Sequence, residues 1–225
     1  MRDANLETAS SSRRSERSDT RSGIQLVPES VANEKENVLA SRLRGNDGKR
    51  ESENTMSDTG HLYVTWERYH RLIDLLALQV HDSKWEFDSI ICIARGGLRV
   101  GDQLSRIFDK PLAIMSTSSY VEEGGTVRGK LLVSEHLTMT SATLGPRVLV
   151  VDDLADSGHT LSVIKQELPL RYPHLTDVKT AVIWKKGVSM FNPDYFVEFL
   201  PNSPWIHQPF ENYDSTRPHQ LSRES

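Results

Sequence analysis

Val148-Leu149-Val150-Val151-Asp152-Asp153-Leu154-Ala155-Asp156-Ser157-Gly158-His159-Thr160 is the stretch on which the reading of this chain turns. A short unbroken apolar run, the mark of a strand buried on both faces, meets two adjacent acids and then an Asp-Ser-Gly-His-Thr loop that opens a helix. The loop sets several backbone N–H groups and the hydroxyls of Ser157 and Thr160 at a helix N-terminus, where unsatisfied amides and the helix dipole favour a phosphate. The paired acids at the strand tip suit sugar hydroxyls or, through hard oxygens, Mg²⁺. Taken singly, an acid pair and a Ser-Gly turn are more often just an acidic turn before a capped helix. Three acids, a glycine and two hydroxyls in this order favour the phosphate site.

Outward from this motif, helical and strand signals alternate. Thr65 caps a predicted helix over Trp66–Val80, because Tyr69, Leu72, Ile73, Leu76 and Val80 share one face of a 3.6-residue period. Ser89–Ala94 reads as a strand buried on both faces. It runs into Arg95-Gly96-Gly97 and a second helix over Leu98–Phe108. Pro111–Met115 predicts the next strand. Residues 120–143 are polar and glycine-bearing, long enough to suggest a lid or a disordered connection. Arg147–Val151 is the clearest strand. A helix over Thr160–Leu170 and strands over Val178–Trp184 and Tyr195–Phe199 follow. This alternation predicts an α/β fold with a mainly parallel sheet flanked by helices. In such sheets ligands sit at the carboxyl ends of the strands. Arg95-Gly96-Gly97, Asp152–Thr160 and Lys185 each follow directly on a predicted strand.

Composition divides the 225 residues unevenly. Residues 1–57 hold 14 apolar residues, no aromatics, and 10 Lys/Arg against 10 Asp/Glu, so the net charge of −4 falls on the remainder. Such a segment buries too little apolar surface to offset its ordering entropy and is expected to be a disordered polar extension. Residues 58–214 are expected to form one domain and 215–225 a flexible tail. No apolar run approaches the ~20 residues that span a bilayer. Met1–Asn5 lacks the apolar core of a secretory signal, and the carboxylates argue against a transit peptide. One cysteine, Cys92, excludes an internal disulfide and a cysteine-rich zinc site, and it suits a reducing cytoplasm. A mildly acidic domain carries no electrostatic footprint for nucleic acid.

The Val148–Thr160 segment resembles the phosphoribosyl-pyrophosphate (PRPP) signature of type I phosphoribosyltransferases. Ala94-Arg95-Gly96-Gly97, Ser118-Ser119-Tyr120 and Trp205-Ile206-His207-Gln208-Pro209-Phe210 resemble the bacterial-type xanthine-guanine (6-oxopurine) branch, in the same order and at comparable spacing. The resemblance covers roughly residues 61–214. It implies the type I fold with a small C-terminal hood, PRPP and a 6-oxopurine base as substrates, Mg²⁺ as cofactor and a homo-oligomer.

Carried over by position, it assigns Asp152 and Asp153 to the ribose hydroxyls and Asp153 also to the metal. Asp156 becomes the general base facing purine N7. Ala155 and Ser157, Gly158, His159 and Thr160 would hold PRPP through its 5′-phosphate. Arg95, Gly96 and Gly97 form the pyrophosphate loop, where the family holds a non-proline cis peptide. Lys185 would donate to the purine 6-oxo oxygen, with Lys186 next door leaving the choice ambiguous. Trp205 would stack on the purine, Ile206 would touch its edge, and Ser118, Ser119, Tyr120 and Arg128 would form the lid. His207 stands where the family has an acid, and Lys186 where it has a proline.

Two competing readings carry less. Gly124-Gly125-Thr126-Val127-Arg128-Gly129-Lys130 nearly matches a nucleotide-phosphate loop, but Leu131 stands where the metal-binding hydroxyl belongs. A non-catalytic nucleotide-sensing module on the same fold usually erodes the motif acids or the base-binding residue. Here Asp152, Asp153, Asp156 and Lys185 are all kept.

Overall fold

The computed structural model describes residues 56–57, 60–119 and 131–221. The expectations for residues 1–55, for Tyr120 and Arg128 and for residues 222–225 lie outside the described residues. In chain order the elements are β1 (Met56–Ser57), β2 (His61–Tyr63), α1 (Trp66–Asp82), β3 (Ser89–Ala94), α2 (Gly97–Phe108), β4 (Leu112–Ser119), β5 (Leu131–Val133) and β6 (Thr138–Met139). There follow β7 (Arg147–Val151), β8 (Leu154–Ala155), α3 (His159–Arg171), β9 (Asp177–Lys186), β10 (Tyr195–Leu200) and β11 (Trp205–His207). Short 3₁₀ turns close the described chain at Glu211–Asp214 and Pro218–Gln220.

The main sheet runs β10-β9-β7-β3-β4-β5, parallel from β10 through β4, with β5 and β6 antiparallel against β4. The segment 120–143, expected as a lid or disordered stretch, thus supplies two short strands from its second half. β4 also runs four residues past the predicted Met115, because β5 continues its hydrogen bonding. α1 starts as predicted: Thr65 Oγ1 accepts from the Arg68 N–H at 3.2 Å, satisfying one orphan donor of the first turn.

The strand residues sort onto two faces, as the pleat requires. Ile90 and Cys92 of β3 and Leu149 and Val151 of β7 join the apolar stripes of α1 and α2 in one core layer. Ile91, Ile93, Val148 and Val150 pack on the other face against Leu161, Ile164 and Leu168 of α3. This double coverage explains why β3 and β7 read as continuous apolar runs. Burial pushes the Cys92 thiol up to about 11, so it behaves as a core residue rather than a nucleophile.

Outside the cores, Asp194 ties α3 to β9. Its Oδ2 accepts from the Thr180 N–H and hydroxyl, each at 2.8 Å, and from Lys165 Nζ at 2.7 Å. Burial raises the carboxyl, but these bonds outweigh it and hold Asp194 below its usual value. A depressed carboxylate contributes stability above its unfolded pKa, lost as pH falls through the folded value. Asp194→Ala is expected to cost about 1.5–3 kcal/mol at pH 7. Urea midpoints should show the gap from wild type narrowing below about pH 4, near the unfolded carboxylate value. A gap that stays constant to pH 3 contradicts this account.

The expected hood is a second, three-stranded sheet of order β1-β2-β11, with β11 parallel to β2 and β1 antiparallel to it. Its middle strand comes from the N-terminal side of the domain, not from the C-terminal part alone. Trp205 pairs with His61 and His207 with Tyr63 in this ladder. The His207 ring stacks on Tyr63 at 4.4 Å between centroids, and its Nε2 lies 2.9 Å from His61 Nδ1. No helix among the described residues is long and apolar enough to cross a membrane.

Candidate active site

The parallel register brings the ends of β3, β7 and β9 to one edge, since Cys92 pairs with Val151 and Val151 with Ala181. The segments that follow β3 and β7 therefore converge, beside the part of β9 that runs on through Lys186. After β3 the Ala94–Arg95 peptide is cis, and Gly96-Gly97 lead into α2. Both glycines meet the β7 segment closely. A Cβ on Gly96 would overlap Asp153 Oδ1, and one on Gly97 would lie 2.6 Å from the Val151 carbonyl. Only a bare backbone fits. Gly96→Ala is expected to displace the Asp153 carboxylate and lower PRPP affinity at least tenfold while the melting temperature moves by only a few degrees. Unchanged PRPP affinity would show that this contact does not matter to the site.

Asp152 and Asp153 sit where β7 ends. The Asp152 N–H donates to the Ala181 carbonyl at 3.1 Å, and Asp152 Oδ1 accepts from the Asp153 N–H at 3.0 Å. Burial, reinforced by the neighbouring Asp153 carboxylate, pushes Asp152 well above the usual carboxylate range. Asp153 is anchored at both ends. Its carbonyl accepts from the Ile183 and Trp184 N–H groups at 3.0 and 3.2 Å, and its Oδ2 accepts from Gln208 Nε2. Hard oxygens and a side-chain-free Gly96 beside them make a donor set that fits Mg²⁺.

Ala155 is buried, and Asp156, Ser157, Gly158, His159 and Thr160 then turn into α3. Gly158 takes φ +77°, the left-handed region, and a Cβ there would collide with Phe191. The loop is braced from outside by the Met190 N–H, which donates to the Ser157 carbonyl at 3.1 Å. Its Ser157 Oγ accepts from the His159 N–H at 3.4 Å. The first turn of α3, beside Ser157 and Thr160, is where the sequence leads one to expect an anion.

The two lysines have different surroundings. Lys185 Nζ donates to Asn192 Oδ1 at 2.8 Å and lies over the Phe196 and Phe199 rings, each at 5.5 Å. Lys186 is 8% exposed, and its Nζ sits 3.2 Å from Asp156 Oδ1. The physical reason lies just upstream. Val182 packs in one core layer, whereas Ile183 and Trp184 both pack in the other. Two consecutive residues on one side reverse the parity of every residue beyond, so Lys185 turns outward and Lys186 inward.

The hood residues divide as well. Ile206 is buried and lines a cleft of about 510 Å³ with Arg95, Gly96, Asp153 and Gln208. Trp205 is more than half exposed and outside that lining, its Nε1 donating to Glu211 Oε1 at 3.2 Å. His207, at the end of β11, contacts Glu211 Oε2 at 2.9 Å. Arg95 is exposed and bridges to Asp214 at 3.2 Å. Among the expected lid residues, Ser118 and Ser119 are in β4, paired with Leu132 and Leu131.

Sequence reasoning did not single out Arg99, Gln208, Phe210 or Asp214, which all line the cleft. Arg99 lies 3.9 Å over the Phe210 ring, and that ring stands edge-on to Tyr69 at 5.5 Å. The Gln208-Pro209-Phe210 run was visible in the sequence, but its approach to Asp153 depends on the hood folding back over β7.

Comparison with known proteins agrees with this geometry. The phosphoribosyl transferase domain family matches residues 64–215. A xanthine-guanine phosphoribosyltransferase of Idiomarina loihiensis is 31% identical over 150 residues, covering 66% of this chain and 86% of that protein. The crystal structure of a purine phosphoribosyltransferase from Pyrococcus horikoshii superposes with a TM-score of 0.56 at 31% identity, over 68% of this chain and 94% of that one. A Helicobacter pylori xanthine-guanine-hypoxanthine phosphoribosyltransferase shares the fold, with a TM-score of 0.58 at 24% identity over 69% and 99% of the two chains. With a match over residues 64–215, the chain belongs to the phosphoribosyl transferase family.

Proposed function

We propose that the protein is a purine salvage phosphoribosyltransferase, transferring the 5-phosphoribosyl group of PRPP to N9 of a 6-oxopurine and releasing pyrophosphate. The observation that carries the reading is the packing of Gly96 against the Asp153 carboxylate, which joins a pyrophosphate loop to a sugar-binding acid in one cleft. The family match and the names of its relatives support the same reaction class.

In this reading the Ser157–Thr160 loop grips the 5′-phosphate, with Ala155 and Gly158 shaping it. Arg95, Gly96 and Gly97 face the pyrophosphate, and Asp152 and Asp153 take the ribose hydroxyls. Asp153 would hold Mg²⁺, which would supply charge neutralisation for the pyrophosphate leaving group. As the N9–C1′ bond forms and the C1′–oxygen bond to pyrophosphate breaks, Asp156 takes the proton from purine N7. Lys186 donates to the 6-oxo oxygen, which selects xanthine, guanine or hypoxanthine over adenine, whose 6-amino group is itself a donor. Trp205 and Ile206 lie against the base, and Ser118, Ser119, Tyr120 and Arg128 form the lid that excludes water. A cytoplasmic homo-oligomer completes the proposal.

Incubation with PRPP, Mg²⁺ and guanine should yield guanosine monophosphate and one equivalent of pyrophosphate. Nucleotide binding without pyrophosphate release would instead mark a sensing module. The domain bounds are part of this proposal, with one adjustment. Met56 and Ser57 pair with Leu62 and His61, so the proposed catalytic unit takes in these two residues as well. Deleting residues 1–55 is expected to leave turnover within about threefold. A folded but inactive truncation would show that the leader contributes to the site.

A further inference from the structure

Gln208 follows directly on β11, and only half of its amide is engaged. Nε2 donates to Asp153 Oδ2, while Oε1 is buried without a hydrogen-bond partner. Charge sets this orientation, because exchanging the two atoms would put a carbonyl oxygen against a carboxylate oxygen, acceptor on acceptor. Both Gln208 and Asp153 line the cleft. The hydroxyl of fully buried Tyr69 also lacks a partner. Beside Asp153 there is therefore an unused acceptor, at a position where an unmade hydrogen bond is unfavourable unless a ligand completes it.

A buried acceptor calls for a donor. Phosphate oxygens at neutral pH mostly accept, so the donors that PRPP brings to Asp153 are its sugar hydroxyls and any water held by its metal. We propose that Gln208 is a binding and positioning residue of the PRPP site: Nε2 fixes the Asp153 carboxylate, and Oε1 accepts from an O–H donor of the bound substrate, a ribose hydroxyl or a metal-held water. This rests on the cleft being the PRPP site.

Isothermal titration of wild type and Gln208→Met, which keeps length and loses both polar atoms, tests it with two ligands: guanosine monophosphate without metal, and PRPP with Mg²⁺. The expected loss is roughly 5- to 30-fold in affinity, the size of one or two hydrogen bonds. Loss with metal-free nucleotide identifies the ribose hydroxyl, and loss confined to PRPP with Mg²⁺ identifies the metal-held water. In turnover the defect should fall on KM for PRPP, with KM for the purine unchanged, a split that loosened packing would not produce. If Gln208→Met does not fold, Gln208→Asn, which withdraws both groups by one methylene, decides on the same readout. Unaltered affinity for both ligands in the variant, with normal binding by wild type, overturns the inference alone. Wild-type protein that binds neither ligand overturns the reading of the site and this inference with it.

Discussion

Asp156→Asn is expected to lower kcat by roughly 10²- to 10⁴-fold, the contribution of a positioned general base. Asparagine matches the shape but can neither take a proton nor carry the charge that pairs with Lys186. Asp156 stands at the mouth of the phosphate loop, mostly exposed and 3.2 Å from Lys186, so no packed core depends on it. The melting temperature should accordingly change by no more than a few degrees. PRPP affinity should also hold within a few-fold, because the phosphates are assigned to the Ser157–Thr160 loop and to Gly96, which the substitution leaves unchanged. Single-turnover measurements at saturating PRPP and purine isolate the chemical step. Turnover within tenfold of wild type, with binding intact, would assign the base to another group.

Lys186→Ala is expected to reduce kcat/KM for guanine by about 10- to 100-fold. A buried ammonium donating to a carbonyl oxygen is a charge-assisted hydrogen bond of about 1.5–3 kcal/mol, and each 1.4 kcal/mol is one decade. Part of the loss should appear in kcat, because the substitution also takes away the partner of Asp156. Lys185→Ala is the control and should leave kcat/KM within about twofold, since its ammonium is occupied by Asn192 on the opposite side of the strand. Lys186→Met, of similar length and without charge, guards against a defect that comes only from an emptied buried site. The preference for guanine over adenine should narrow in both Lys186 variants. A defect in Lys185→Ala with a silent Lys186→Ala would reverse the orientation seen here.

These two experiments bear on residues of different legibility. The position of Asp156, between the strand-tip acids and the start of α3, was readable from local order, and its role from the resemblance. A strand, an acid pair, a glycine turn and a helix start impose their geometry within a dozen residues, because each depends on backbone conformation and hydrogen bonding near in sequence. The same locality made β3, β7, α1 and the Arg95-Gly96-Gly97 turn visible, and α1 begins at the residue capped by Thr65. A continuous apolar run also implied helices on both faces of the sheet, which the two core layers bear out.

Lys186 was not readable. Side chains alternate along a strand, so one local shift exchanges the inward and outward lysines. That shift arises at Ile183 and Trp184, both drawn into one layer. Trp184 is held there by its Nε1 bond to Glu198 at 2.8 Å and by the ring of Tyr69 at 6.1 Å. Glu198 is on β10 and Tyr69 on α1, partners distant in sequence. The sequence by itself therefore determined the fold class, the strand-tip acids and the phosphate loop, whose causes are local. Tertiary packing alone decided which lysine meets Asp156, that the hood takes its middle strand from His61–Tyr63, and that Gln208 reaches Asp153. Each depends on contacts between elements whose relative placement is set by burial in a shared core, and burial acts across any separation along the chain.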